Sequence, residues 1–192
     1  MDRVQVSALI AVPLACVAAS LWIAGEPLSM TWFTSYGLAA SVTVFCLSAF
    51  NLWLWKLPFL QGWFVNRPRL AGNWKFTIRS DWIDPETGES ADPVEAEVKI
   101  TQTYTRLHLH LETEESKGDF LGEKIIRKDD GTYQVSAVYR NEPKISIQDR
   151  SRTHLGALVL NVIGIPKKPT ALDGHYWTDR NSKGEINGVR SD

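Results

Sequence analysis

Charge is what the first third of this 192-residue chain lacks. There is none from Val4 to Gly25, and none from Pro27 to Trp55. Each run exceeds the roughly 20 apolar residues an α-helix needs to cross a bilayer. Residues 1–55 are therefore expected to form two transmembrane α-helices in a hairpin, although the mean hydropathy of the whole chain is slightly negative. Pro13 is tolerable in such a helix, and Trp32, Trp53 and Trp55 fall where interfacial aromatics belong. Cysteine is nearly absent as well. Cys16 and Cys46 both sit inside the apolar runs, which excludes a disulfide framework and gives no sign of an oxidising compartment.

Catalytic signatures are also missing. The chain has no G-x-S-x-G elbow, no phosphate loop and no H-E-x-x-H. His108 and His110 share a strand face opposite three leucines with no third ligand in view, so no metal site is expected. The acidic stretch "DWIDPETGESADP" lacks the spaced oxygen ligands of a calcium loop and reads as a hairpin connection. No cofactor is implied. Net charge is about zero from Lys56 onward, which disfavours direct binding of DNA or RNA through a basic surface. No amphipathic helix, internal repeat or low-complexity tract follows Arg69.

What is present after residue 69 is alternation with period two. "NWKFTIRS" sets Trp74, Phe76 and Ile78 against Asn73, Lys75 and Thr77. "VEAEVKITQTY", "RLHLHLE" and "TYQVSAVYR" repeat the pattern, and "HLGALVLNVI" is apolar on both faces, which predicts a more deeply covered strand. With "DFLGEKIIRK", "LDGHYWTDR" and "GEINGVR" the runs number eight, separated by turns at "RKDDG", "NEP" and "IPKKP". The fold class predicted is thus two transmembrane helices (1–55), an interfacial linker (56–69) and an eight-stranded antiparallel, lipocalin-like β-barrel meander (70–192). Arg3, Lys56, Arg67 and Arg69 flank the apolar runs, while their connection "GEPLSM" carries only Glu26. That asymmetry predicts both termini in the cytoplasm.

Alternation turns Trp74, Ser80, Gln102, Tyr139, Tyr176, Thr178 and Arg180 toward the lumen. Aromatic rings stack on nucleobases, and a fixed guanidinium holds a phosphate. The same residues equally suit a plug, with Arg180 over Trp74 closing one barrel end by a cation–π contact. On the residues alone both readings stand.

The two apolar runs, followed in order by "LAGNW", "ITQT", "YRNEP", "HLGAL" and "LDGHYWTDRNSKGEI", resemble the SMODS-associated two-transmembrane, β-strand-rich effectors of bacterial cyclic-oligonucleotide antiphage defence (CBASS). The family's G-x-Y-x-T-x-R-x-x-x-G ending is similar to Gly174, Tyr176, Thr178, Arg180 and Gly184. The resemblance implies a cytoplasmic barrel that senses a cyclic oligonucleotide, a cyclic dinucleotide above all, made by a CD-NTase after infection. It implies homo-oligomerisation on binding, disruption of the inner membrane and death of the infected cell, without enzymatic activity. Arg180 and Tyr176 are the implied phosphate and base contacts. Thr178, Gln102, Tyr139, Trp74, Ser80 and His154 follow, and Ser116 stands in a degraded form of a serine motif, "ESKGD". The alternatives are a tethered barrel holding a small apolar ligand and a structural membrane protein docking a partner.

Overall fold

The structure is a computed structural model that describes residue 22 and residues 30–83, 88–148 and 151–191. The chain divides into two compact units, Met1–Trp55 and Lys56–Asp192.

In the first unit, helix α1 (Met30–Leu52) runs for 23 residues with no acid in its first turn and no base in its last. At 1.5 Å per residue it is about 35 Å long. Its sequence shows no single apolar stripe. Counted over the described residues, no helix is long and apolar enough to cross a membrane. The first apolar run lies outside the described residues except for Trp22.

The second unit holds eight strands in a closed barrel with neighbours in sequence order. They are β1 (Gly72–Ser80), β2 (Val94–Gln102), β3 (Leu107–Glu112), β4 (Ser116–Arg127), β5 (Tyr133–Pro143), β6 (His154–Ile165), β7 (Lys168–Thr178) and β8 (Lys183–Arg190). All pairs are antiparallel, and β1 closes on β8 from Trp74↔Arg190 to Ser80↔Gly184. The predicted meander is what the chain forms. Alternation explains it: Phe76, Val98, Leu109, Val135, Leu158, Leu160, Leu172 and Ile186 point inward and are buried, filling a lumen that eight strands make just wide enough for side chains.

One barrel end is sealed. Trp74 is buried there with its Nε1–H donating to the Leu70 carbonyl at 2.9 Å. The Arg190 guanidinium lies 4.9 Å from the Trp74 ring centroid and donates to the Arg69 and Ala71 carbonyls at 2.9 and 3.2 Å. Gln102 completes this floor. Its Oε1 accepts from the Leu70 and Ala71 amides, and its Nε2 donates to the Pro68 carbonyl. The cation over Trp74 is therefore Arg190, not Arg180, because the end of β8 is in register with Trp74 and Arg180 follows the far end of β7.

Two local expectations change, and one ladder is short. "NEP" is not a turn: Asn141, Glu142 and Pro143 continue β5, and the proline takes its last position, where a missing N–H is tolerated. The ladder between β3 and β4 has only three pairs. Past the bulge at Phe120/Gly122, the Glu123 carboxylate substitutes for a strand by accepting from the Leu109 amide at 3.1 Å and meeting His108 Nδ1 at 3.0 Å. Finally, the outward face of β6 is only partly covered by the described residues, since Leu155 and Ile163 are both close to half exposed.

Candidate ligand-binding site

The meander fixes which residues meet. Odd strands start at the floor and end at the opposite mouth, and even strands run back. The ends of β1, β5 and β7 therefore converge with the starts of β4, β6 and β8 at the mouth.

A cavity of about 590 Å³ opens there, among Ile78, Leu111, Phe120, Tyr139, Asn141, His154, Leu158 and Tyr176. That volume falls in the range of small-molecule sites. It exists because inward positions near the mouth carry glycine, each opposite a large side chain. Gly156 pairs with Tyr139, and Gly184 with Tyr176. A Cβ on Gly156 would run into the Tyr139 ring, and one on Gly184 would meet the Arg79 carbonyl oxygen first and then the Tyr176 ring at 2.8 Å. Each glycine is thus a ledge on which a tyrosine lies. Phe120 completes an aromatic wall, its ring 5.6 Å from that of Tyr139.

Burial, and then the neighbouring Tyr176, push the Tyr139 phenol above its ordinary range. It stays a neutral O–H donor throughout the physiological range. His154 places Nδ1 3.1 Å from the Arg152 carbonyl. A carbonyl only accepts, so Nδ1 carries the hydrogen and a neutral ring keeps Nε2 as an acceptor.

Around the mouth the charges divide by side. Asp92, Glu95, Glu114 and Glu115 line it on the β1–β2 and β3–β4 side. Arg152 and Arg180 stand on the β5–β6 and β7–β8 connections. Arg180 is not on the face of β7, which stops at Thr178. It belongs to the turn that follows, where Asn181 takes φ 59°, and its side chain is exposed with Nη1 3.0 Å from Ser151 Oγ.

The structure thus brings Tyr139, Tyr176 and His154 to one cavity. Ser116 lines it too, with its Oγ 3.1 Å from Thr113 Oγ1. Thr178, Ser80 and Arg180 sit at the same end but outside its lining. The Thr178 hydroxyl is 2.7 Å from Ser182 Oγ, and Ser80 Oγ accepts from the Trp82 amide at 3.2 Å. Trp74 and Gln102 are at the floor, engaged within the protein. Phe120 and Asn141 are cavity residues that sequence reasoning passed over. Asn141 hid in a stretch that looked like a turn, and Phe120 beside a bulge that breaks the alternation.

Aromatic faces, a phenol donor and an amide in the cavity suit a planar aromatic ligand, while four carboxylates line one side and the Arg180 guanidinium stands outside the lining on the other.

Comparison with known proteins adds an independent finding. The model of the family "Cap15, cyclic dinucleotide receptor domain" matches residues 65–190. CD-NTase-associated protein 15 of Yersinia aleksiciae is 32% identical over 125 residues, 65% of this chain and 54% of that protein. The chain therefore spans about half the length of the curated relative it matches.

Proposed function

The chain belongs to the Cap15 cyclic dinucleotide receptor family, and from that membership we propose that its barrel binds a cyclic dinucleotide at the open mouth. The observation that carries this reading is the cavity walled by Tyr139, Tyr176 and Phe120 in a chain of this family. The bases stack on the tyrosines, and the two phosphodiester charges turn toward Arg180 and Arg152, away from the carboxylates of the opposite rim. Binding is the whole task of the site; it works as a receptor and not as an enzyme.

Calorimetric titration of the full chain with cyclic dinucleotides tests this. Arg180→Ala should weaken binding by about 1.5 kcal/mol, roughly tenfold, the lower end for a charge-assisted hydrogen bond because the group is exposed. A wild-type chain that takes up fatty acids and no cyclic nucleotide would establish the apolar-ligand alternative instead.

The reading extends to the membrane as a CBASS effector. The uncharged run from Pro27 to Trp55 exceeds the roughly 20 residues a span needs, which supports insertion. The basic residues after it support a cytoplasmic barrel at the inner membrane of a bacterium. Two spans in one protomer cannot enclose a wide hole, so disruption requires oligomers that the ligand favours through its differential affinity. Deleting Met1–Trp55 is expected to leave nucleotide binding intact and abolish killing in cells supplied with the signal. A truncated barrel that still kills would overturn the membrane mechanism and leave the receptor reading standing.

A further inference from the structure

We propose that the mouth cavity selects guanine among the nucleobases, and that Glu114 is the residue that reads it. The inference rests on the receptor reading above and narrows it. Its starting point is that the β3–β4 side of the mouth offers a ligand mainly hydrogen-bond acceptors. In the turn there, Thr113 Oγ1 accepts from the Glu115 and Ser116 amides at 3.3 and 2.9 Å, and the Thr113 amide donates to the Ser116 carbonyl at 2.9 Å. Those three amides are thus engaged within the turn itself. Of the four carboxylates lining this side of the cavity, Glu95 accepts from the Thr77 hydroxyl at 2.8 Å, and Glu115 is engaged elsewhere. Asp92 and Glu114 have no hydrogen-bond or ion-pair partner among the described residues. A phosphodiester oxygen close to them would be repelled, so a cyclic dinucleotide must turn base N–H groups to this side.

Glu114 is singled out by its neighbour. Asn141 shares the inward face of β5 with Tyr139, lies nearer the mouth and lines the same cavity. The Lys144 amide donates to the Glu115 carbonyl at 2.8 Å, which ties the β3–β4 turn to the end of that strand. The Glu114 carboxylate and the Asn141 amide therefore occupy adjacent places on one rim, beside the Tyr139 ring on which a base would stack. A base lying on that ring meets two acceptor oxygens followed by an amide. Guanine is the base whose edge matches: N2–H and N1–H donate in parallel to a carboxylate, and O6 accepts from an amide N–H. Adenine sets its N1 lone pair against the carboxylate, and uracil has a single N–H between two carbonyls. The Asn141 amide can turn over to suit any base, whereas an ionised carboxylate only accepts. Glu114 therefore decides. At an exposed rim, each donor to that charged group is worth roughly a tenfold difference in affinity.

The test is calorimetric titration of the full chain in detergent with the cyclic dinucleotides of guanine, hypoxanthine, adenine and uracil, with and without a chelator. Hypoxanthine keeps N1–H and O6 and lacks the N2 amine. Affinity should fall about tenfold from guanine to hypoxanthine and about tenfold again to adenine. Glu114→Gln sets an NH2 group against one of the two base donors. It should weaken guanine binding about tenfold, narrow the gap to hypoxanthine and leave adenine binding near wild type. Glu97→Gln removes a carboxylate from β2 outside the cavity lining and should leave the whole series unchanged. Adenine or uracil binding as tightly as guanine would overturn the proposal and leave the receptor reading standing. So would an unchanged series in a folded Glu114→Gln. Guanine binding that is lost with the chelator would also overturn it, because the carboxylates would then hold a divalent cation. A wild type that binds none of these nucleotides sinks the receptor reading and this inference together.

Discussion

Trp74→Ala is expected to lower the stability of the barrel by about 3–5 kcal/mol, the range for truncating a buried Trp. Trp74 is 1% exposed. Its loss leaves a void under the floor, removes the donor to the Leu70 carbonyl and uncovers one face of the Arg190 guanidinium. In a domain of this size the melting temperature should fall by on the order of ten degrees or more. Arg190→Leu should act on the same floor with a smaller effect, because it forfeits the cation–π contact and the two carbonyls at Arg69 and Ala71. Nucleotide affinity measured well below the new melting point should stay near wild type, since the mouth is at the far end. Thermal denaturation with a binding titration on the same sample separates the roles. An unchanged melting temperature with lost binding would mean that Trp74 touches ligand.

Strand identity was legible because a half-buried strand writes its two faces into alternate residues, and every predicted run became a strand. What alternation does not state is position along the barrel. Gln102 and Tyr139 share inward parity, yet one completes the floor and the other walls the cavity. The direction of the meander decides this: a residue late in an even strand lies at the floor, and one late in an odd strand at the mouth. Applied to "NWKFTIRS" and "GEINGVR", the same rule sets Trp74 beside Arg190 and leaves Arg180 at the opposite end. Arg180 misled for a second reason. It continues the spacing of Tyr176 and Thr178, but the chain turns after Thr178, so the alternation ends before it arrives. The glycine ledges were invisible for a different cause. The effect of Gly156 depends on pairing with Tyr139, a relation set by the register of two strands and by nothing in "HLGAL" itself.

Gly156→Leu is expected to reduce affinity for the cyclic dinucleotide at least a hundredfold while the barrel still folds. Residue 156 faces inward at the mouth, directly opposite Tyr139. Because even a Cβ there would overlap the tyrosine ring, a leucine must push that ring off its ledge, and the open direction is the cavity itself. The ligand then meets a displaced phenol and an added isobutyl group where the base would stack. Overpacking of this kind typically costs about 1–3 kcal/mol of stability, and the neighbouring void should hold the cost near the lower end. Two companions make the result specific. Gly188→Leu presses on Phe76 in the same way, away from the mouth cavity, and should destabilise the fold while leaving affinity close to wild type. Tyr139→Ala in the Gly156→Leu background should restore stability non-additively, since the two residues share one contact. Calorimetry and thermal melts on the wild type, the two glycine variants, Tyr139→Ala and the double variant would read both effects. Wild-type affinity in a folded Gly156→Leu chain would show that the ligand does not occupy the space between Tyr139 and Tyr176.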